Sequence, residues 1–341
     1  PGFLAVGVIL FLFWFREQNL AILALIALGS ATAATGFFPS FAGLLITTII
    51  GSFGFHYFET VNQSLQLQWI PKENAPWIIG LLIAAGSGAS LITYSIVAFG
   101  WQRFEFSFQA VYVFAGVTTI IIAMICYIFF PTFEHSVKQN IKLEVKAKYW
   151  LYYLLQFFAG ARRQIFVVFA AFMMVEKFHL HVHELTALFL ANYLLNIILA
   201  PLMGKVVQFF GERISLSIEY IGLTFVFAAY AGIYFWNWGV EVAIALFIID
   251  HLFFALSIAM KTYFQKIADP ADIAPQAAVA FTINHVAAVF LPAILGYLWI
   301  IYPSFVFQVA AALALLSFGA SILIPSEPKP GSETILFVFG K

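Results

Sequence analysis

Charged residues are scarce in this sequence: Asp, Glu, Lys and Arg make up 9% of the chain, whereas 63% of the residues are hydrophobic. A soluble domain carries charge on about a quarter of its residues. Apolar runs of about 18 or more residues, long enough to cross a bilayer, recur along the whole chain. The composition therefore predicts an all-α polytopic membrane protein, embedded in the lipid bilayer.

Net charge, cysteine and catalytic motifs are also missing. The 16 basic residues balance the 16 acidic ones, which argues against a nucleic-acid partner. Cys126 is the single cysteine, so an internal disulfide is excluded. No nucleophile elbow, Walker loop or zinc-protease pattern is found, so we expect neither an enzyme nor an ATP-driven pump, and no cofactor.

Eleven apolar spans are predicted, and a polar segment divides them. We expect one more helix ahead of the first span, since that span begins at the first residue. The domains are then an N-terminal bundle at 1–130, a cytoplasmic linker at 131–147, a six-helix C-terminal bundle at 148–324 and a loose cytoplasmic tail at 325–341. The predicted spans are 1–15, 19–37, 41–66, 76–99, 109–130, 148–175, 186–208, 214–234, 239–263, 275–298 and 301–323.

Basic residues fall mostly on one side of the predicted spans. Positive residues favour cytoplasmic loops, so this side is assigned to the cytoplasm together with the linker and the C-terminus, and a bacterial inner membrane is favoured. Only Arg103 and Lys177 fall on the opposite side. The cytoplasmic set is Arg16, Lys72, Lys138, Lys142, Lys146, Lys148, Lys205, Arg213, Lys261 and Lys266.

The loop that begins at Gly204 resembles the short cytoplasmic loop signature of the major facilitator superfamily, roughly Gly-x-x-x-Asp-Arg-x-Gly-x-Arg-Arg. Gly204, Gly211 and Arg213 match it, whereas Gln208 and Phe209 replace the acidic and basic pair. The resemblance implies two six-helix bundles, a monomer and a secondary transporter working by alternating access, with its substrate site near the midplane between the two halves.

Polar residues recur near the middle of three predicted spans. Ionisable groups at this depth are costly and usually face a cavity or one another. We expect one or both of the arginines to pair with Asp250 and only one of them to face a cavity. The functional interpretation assigns substrate contacts to Arg162, Arg163 and Asn284, and proton coupling to Asp250, His251 and His285. The alternative is a structural ion pair that holds helices together.

A second polar group lies in the N-terminal half. His56, Glu59 and Gln63 follow a helical spacing that places them on one face of a span. We predict substrate contact for Tyr57 and Glu59 and proton coupling for His56. A cytoplasmic gate or a structural pair remains the alternative.

Three alternating histidines, His179, His181 and His183, lie in a predicted outer loop. Imidazole suits Zn²⁺ and Ni²⁺, and in an extended chain the three would share one side. This gives a predicted metal site, against the alternative of a solvated loop.

Three functions follow from these patterns. The first is a proton-coupled secondary transporter for a small organic solute, anionic or amphipathic, with export by antiport preferred because the spans are rich in aromatic residues. The second is transport of a divalent metal ion. The third is a membrane protein on the same scaffold that assembles or regulates a partner without transporting anything.

Overall fold

The computed structural model describes residues 7–12, 14–132, 137–140, 142 and 144–336. The start of the first predicted span, part of the linker and the end of the tail lie outside the described residues.

The regular elements of the described residues are helices. Short 3₁₀ turns precede α6, α10 and α11, and a π-helical turn, Ile165–Ala170, joins α6 to α7. The helices are α1 (Val8–Leu12), α2 (Glu17–Thr35), α3 (Phe41–Trp69), α4 (Ala75–Phe104), α5 (Phe108–Phe129), α6 (Trp150–Gln164), α7 (Ala171–Glu176), α8 (Val182–Phe235), α9 (Val240–Phe254), α10 (Ile258–Ile267), α11 (Ile273–Ile301) and α12 (Pro303–Ile322).

The predicted fold class, an all-α polytopic membrane protein, is confirmed. Nine segments within the described residues are long and apolar enough to cross a membrane, by length and composition, compared with the eleven spans predicted. Two differences account for this. Within the described part of the first span only Val8–Leu12 is α-helical, and the predicted spans 186–208 and 214–234 fall within one continuous segment, His183–Phe235.

Gly211 interrupts that long segment. Its φ of 78° and ψ of 171° are not helical, so α8 consists of two helices joined at this residue. Only glycine readily occupies this region of backbone space. The second glycine of the motif, Gly204, has a different role: a Cβ there would collide with the carbonyl oxygen of Pro76 in α4. The motif therefore combines one glycine for a backbone turn with one for close helix contact.

Contacts divide the chain into two compact units. The first comprises Pro1–Trp69, Ser95–Val145 and Asp269–Thr282, and the second comprises Ile70–Tyr94, Lys146–Ala268 and Ile283–Lys341. These contact units cut through α4 and α11, and the predicted bundle boundaries at 1–130 and 148–324 stay a prediction.

In the first unit, a buried carboxylate connects helix ends with the linker. Gln68 donates to Glu17 Oε2 at 2.7 Å, and Gln139 of the linker donates to Gln68 Oε1 at 3.3 Å. Gln139 also donates to the Pro270 carbonyl at 2.8 Å and accepts from the Ala274 amide at 3.0 Å. The described part of the linker is thus bound to the turn that precedes α11.

The second unit has an aromatic core formed by the π-helical turn and by α7, α8, α9, α11 and α12. Phe227, Phe247 and Phe307 are fully buried in it, with Tyr230 stacked on Phe307 at a ring-centroid distance of 5.1 Å. Lipid is as apolar as these side chains, so close packing rather than water exclusion holds such helices together.

The tail is more ordered than expected over residues 325–336. The Tyr263 hydroxyl donates to the Glu333 carbonyl at 2.5 Å, and the Ile335 amide donates to the Leu323 carbonyl at 2.9 Å. Tyr263 is fully buried, because the tail folds back over the end of the second unit.

Replacing either motif glycine by alanine should lower stability. We expect Gly211→Ala to cost about 1–3 kcal/mol through backbone strain alone, since nothing lies within 4 Å of a Cβ at this position. Gly204→Ala should cost a similar amount, about 1–3 kcal/mol, by forcing α8 away from α4. Thermal unfolding of the purified protein in detergent would measure both.

The matched control is Gly296→Ala in α11, where a Cβ also meets nothing within 4 Å and φ is not positive. This variant should unfold at the wild-type temperature. Equal losses in all three variants would contradict the separate roles given to Gly204 and Gly211.

Candidate functional site: a buried arginine and two carboxyl groups

The site begins at the end of α6, where Arg162 and Arg163 follow each other. Neighbouring residues on a helix point about 100° apart, so the two side chains differ in environment. Arg162 is 3% exposed, whereas Arg163 is exposed. The π-helical turn Ile165–Ala170 follows at once, and such turns are frequent at functional sites.

Arg162 is held by two neighbouring residues of α8. Its Nη2 lies 3.7 Å from Oε1 of Glu219, which is 1% exposed, and its Cζ lies 4.5 Å from the ring centre of Tyr220. A guanidinium over an aromatic face is stabilised by the ring quadrupole. The expected ion pair with Asp250 is not formed, because the second half of α8 brings Glu219 closer.

Asp250 and His251 come from α9 and face the same region as Arg162. Asp250 is 4% exposed, and the His251 ring packs between Phe166 and Phe247 at centroid distances of 5.7 and 6.4 Å. We call Arg162, Glu219 and Asp250 the arginine–carboxyl triad.

A cavity of about 120 Å³ lies beside the triad, entirely within the second unit. Both arginines line it, so the expectation that only one of them would is wrong, although only Arg162 is buried. Apolar side chains form most of its wall. The lining residues are Ala159, Arg162, Arg163, Phe166, Val167, Leu223, Phe227, Asp250, His251 and Phe254.

Several polar atoms at this site have no hydrogen-bond partner among the described residues. They are Nε of Arg162, Oε2 of Glu219, Oδ1 of Asp250 and Nδ1 of His251. Buried polar groups are normally paired, so four unpaired atoms on neighbouring residues need an explanation, such as a bound water, an ion or a functional role. The triad also carries two carboxyl groups for one buried arginine, and this leaves one buried carboxyl group without a buried counter-ion.

Asn284, on α11, contacts α6. Its amide donates to the Gln156 carbonyl of α6 at 3.1 Å, and a Cβ on the neighbouring Gly160 would collide with the Asn284 carbonyl oxygen. The contact brings α6 and α11 close together. Asn284 and the half-buried His285 do not line the cavity described above, and their predicted roles stay predictions.

The predicted polar face in the N-terminal half belongs to the first unit. His56 Nδ1 lies 2.6 Å from the Ser52 carbonyl oxygen one turn earlier, and the Tyr57 ring packs against Phe11 and Phe53. Glu59 is half-buried. The roles predicted for His56, Tyr57 and Glu59 are not decided by these contacts.

The three outer histidines do not form the metal site that an extended loop would allow. The chain turns at His179, whose φ is 56°, and His181 then caps α8, with its backbone amide donating to Glu184 at 2.7 Å. His181 and His183 stack on each other at 5.5 Å. Within the described residues no three His, Cys, Asp or Glu side chains are placed to share a metal ion.

The motif loop contains an ion pair that sequence reasoning missed. Glu212, between Gly211 and Arg213, is 1% exposed, and its Oε1 lies 2.7 Å from Nζ of Lys266. Lys72 donates to the Lys266 carbonyl at 3.4 Å, and partial burial lowers the pKa of the Lys72 ammonium. Arg213 itself is half-buried. The position of Glu212 inside the motif was the available signal.

Comparison with solved structures decides the fold. At 12% sequence identity and a TM-score of 0.71, the chain superposes on the human organic anion transporter MFSD10 (TETRAN), with 94% of this chain and 83% of that chain covered. The fold is that of the major facilitator superfamily. The predicted family resemblance is therefore confirmed at the level of the fold.

Two further major facilitator structures are similar over comparable lengths. The E. coli fucose:proton symporter FucP gives a TM-score of 0.70 at 12% identity, covering 93% of this chain and 86% of that one. A bacterial homologue of the iron transporter ferroportin in an outward-facing state gives 0.67 at 12%, covering 94% and 86%. No family model and no curated protein sequence matches the chain.

On this major facilitator fold, Glu219 is the functional candidate that the sequence analysis left out. A carboxyl group so soon after Arg213 in the sequence is typical of a structural partner for a basic residue of the loop. Its partner in the structure is instead the buried Arg162.

Removing the buried charge should be costly, and removing both partners less so. We expect Arg162→Gln to lower stability by about 3–5 kcal/mol, because two buried carboxyl groups lose their cation. Glu219→Gln should cost less, because it removes one of the two buried carboxyl groups and keeps the cation. The double variant should be more stable than the sum of the single losses predicts, as measured by thermal unfolding in detergent.

The control pair is Glu212 and Lys266, where Lys266 is 32% exposed and can turn to water. The coupling energy between Glu212 and Lys266, measured by a double-mutant cycle, should be smaller than the coupling energy between Arg162 and Glu219. Additive losses at Arg162 and Glu219 would show that the two side chains do not depend on each other.

Proposed function

We propose that this protein is a secondary transporter that moves a small anionic or amphipathic solute across the membrane by alternating access, coupled to protons. The observation that carries the proposal is the arginine–carboxyl triad beside an apolar cavity, formed by three different helices. A purely structural ion pair needs neither the cavity nor the unpaired polar atoms.

The walls of the cavity support the choice of solute. Arg162 and Arg163 supply positive charge, and the guanidinium group suits planar oxyanions. Phe166, Phe227 and Phe254 provide apolar surface for the rest of the molecule. The volume of about 120 Å³ is smaller than the benzene-binding cavity of about 150 Å³ known in another protein, so the cavity holds the charged head of a solute and part of its apolar body. The neighbouring structures include an organic anion transporter and a sugar:proton symporter, which is consistent with this class.

Proton coupling is proposed for the carboxyl groups of the triad. A buried carboxyl group beside an arginine changes its proton affinity when the arginine engages another anion. Asp250 and Glu219 both meet this condition, and His251 shares the cavity with Asp250. The lipid bilayer, the solute and protons are then the partners of a multi-pass protein, for which we retain the bacterial inner membrane and the cytoplasmic linker and C-terminus as part of the proposal.

Solute-driven proton movement in proteoliposomes tests the proposal. A trapped pH-sensitive dye would report protons while organic sulfonates, sugars, amphipathic cations and divalent metals are added in turn. Sulfonates are preferable to weak acids, because weak acids carry protons across lipid without a protein. We expect a sulfonate-triggered proton flux in the wild type that is lost in Arg162→Gln and strongly reduced in Asp250→Asn.

Arg103→Gln is the matched control, since Arg103 is an exposed arginine at the end of α4 and its replacement should leave the flux unchanged. A flux that survives Arg162→Gln would remove the triad from transport. Flux driven only by metal ions would instead favour the metal-transport alternative. The absence of any flux, with a partner protein that co-purifies, would favour the non-transporting alternative.

A further inference from the structure

The ion pair between Arg162 and Glu219 is unusual for a purely structural pair. Its shortest N–O distance is 3.7 Å although both side chains are almost fully buried, and each partner retains one atom without a hydrogen bond among the described residues. Arg162 also lines the cavity, so a second anion could approach the same guanidinium. A buried pair optimised for stability would have short, fully paired contacts.

We propose that Glu219 is an internal stand-in for the anionic group of the solute and that it takes up the coupled proton when the solute displaces it from Arg162. This rests on the proposed function and assigns a role to a residue outside the predicted site. The matching solute class is a small organic monoanion with a carboxylate or sulfonate head and an apolar body. Glu219 already places a carboxyl group 3.7 Å from this guanidinium.

Charge balance gives the reason for the proton. Arg162 can neutralise one anion at a time. When a solute anion takes that place, Glu219 becomes a buried carboxylate without a counter-ion, which is strongly unfavourable. Binding of a proton to Glu219 returns the site to the net charge it had before the anion bound, so about one proton should enter the site with each monoanion.

Few charged groups near Glu219 could balance its negative charge in place of Arg162. From α6 it faces Arg162, from α9 it interacts with Asp250, and on its own helix it adjoins the Tyr220 phenol. From α12, Ser321 bonds to Ser217 at 2.9 Å and brings no charge. Lys266 of α10 is paired with Glu212.

The sense of coupling follows from this balance. A monoanion and a proton occupy the site together and leave it together, which is symport. The aromatic content of the spans by itself favours antiport. In the present proposal the buried charges, rather than the aromatic residues, determine the coupling.

Infrared spectroscopy of the full chain in lipid nanodiscs tests the role of Glu219 without any ligand. The C=O stretch of a protonated carboxyl group is distinct from carboxylate bands and shifts in D₂O. At neutral pH, Arg162→Gln should show one protonated carboxyl more than the wild type. That band should be lost in Arg162→Gln/Glu219→Gln and retained in Arg162→Gln/Asp250→Asn.

An Arg162→Gln spectrum without an additional protonated carboxyl would overturn the proposal. A band that disappears with Asp250→Asn instead of Glu219→Gln would assign the proton to Asp250 and also overturn it.

A second measurement does not depend on the folding of Arg162→Gln. Proteoliposomes with a clamped membrane potential would take up labelled benzenesulfonate, an anion that cannot carry its own proton, down its concentration gradient. The wild type should take up about one proton per benzenesulfonate in this net uptake. Glu219→Gln imitates the protonated state, so net anion uptake should continue while the proton uptake per anion falls close to zero.

A proton-to-anion ratio unchanged in Glu219→Gln would contradict the proposal even if transport itself is confirmed. If the wild type moves no benzenesulfonate, the proposed function fails for this solute, and the infrared result still decides whether Glu219 is the group that accepts the proton.

Discussion

The cost of a guanidinium within an apolar span is the constraint on which the arrangement of the second unit depends. Arg162 cannot lose its proton and cannot reach water from its buried position, so the helices around it must supply negative charge. Glu219 and Asp250 arrive from α8 and α9 for this purpose. These charges fix how α6, α8 and α9 are rotated about their own axes. Apolar packing alone would not fix it, because lipid-facing and protein-facing apolar residues are chemically alike.

Close backbone contacts allow the charged groups to meet. α6 approaches α11 at Gly160 and Asn284, and α8 approaches α4 at Gly204 and Pro76. Each contact would be lost if a side chain occupied the glycine position. The polar site and the small residues are therefore parts of one arrangement: the glycines set the distances between helices, and the charges set their rotation.

The sequence was sufficient for the fold class, for placing Arg162 and Asp250 within membrane-length apolar segments, and for the match of Gly204 and Gly211 to the motif. These depend on local composition and spacing. It was not sufficient for the partner of Arg162, because that choice depends on the rotation of α8 after the break at Gly211, which hydropathy does not encode. The outer histidines show the same limit: their alternation suggested an extended loop, whereas His181 begins a helix.

The π-helical turn after the arginines has a consequence for how the two ends of its span are oriented. A π turn closes its hydrogen bonds one residue later than an α-helix does, so it has the effect of one inserted residue. The side chains after the turn are therefore rotated by about 100° around the helix axis, compared with an uninterrupted α-helix. On one side of this turn Arg162 faces the carboxyl groups; on the other, Glu176 accepts a hydrogen bond from Trp299 at 2.7 Å. The turn therefore lets Arg162 and Glu176 each face their own partners, although both lie on one membrane-length segment, Ala147–Glu176.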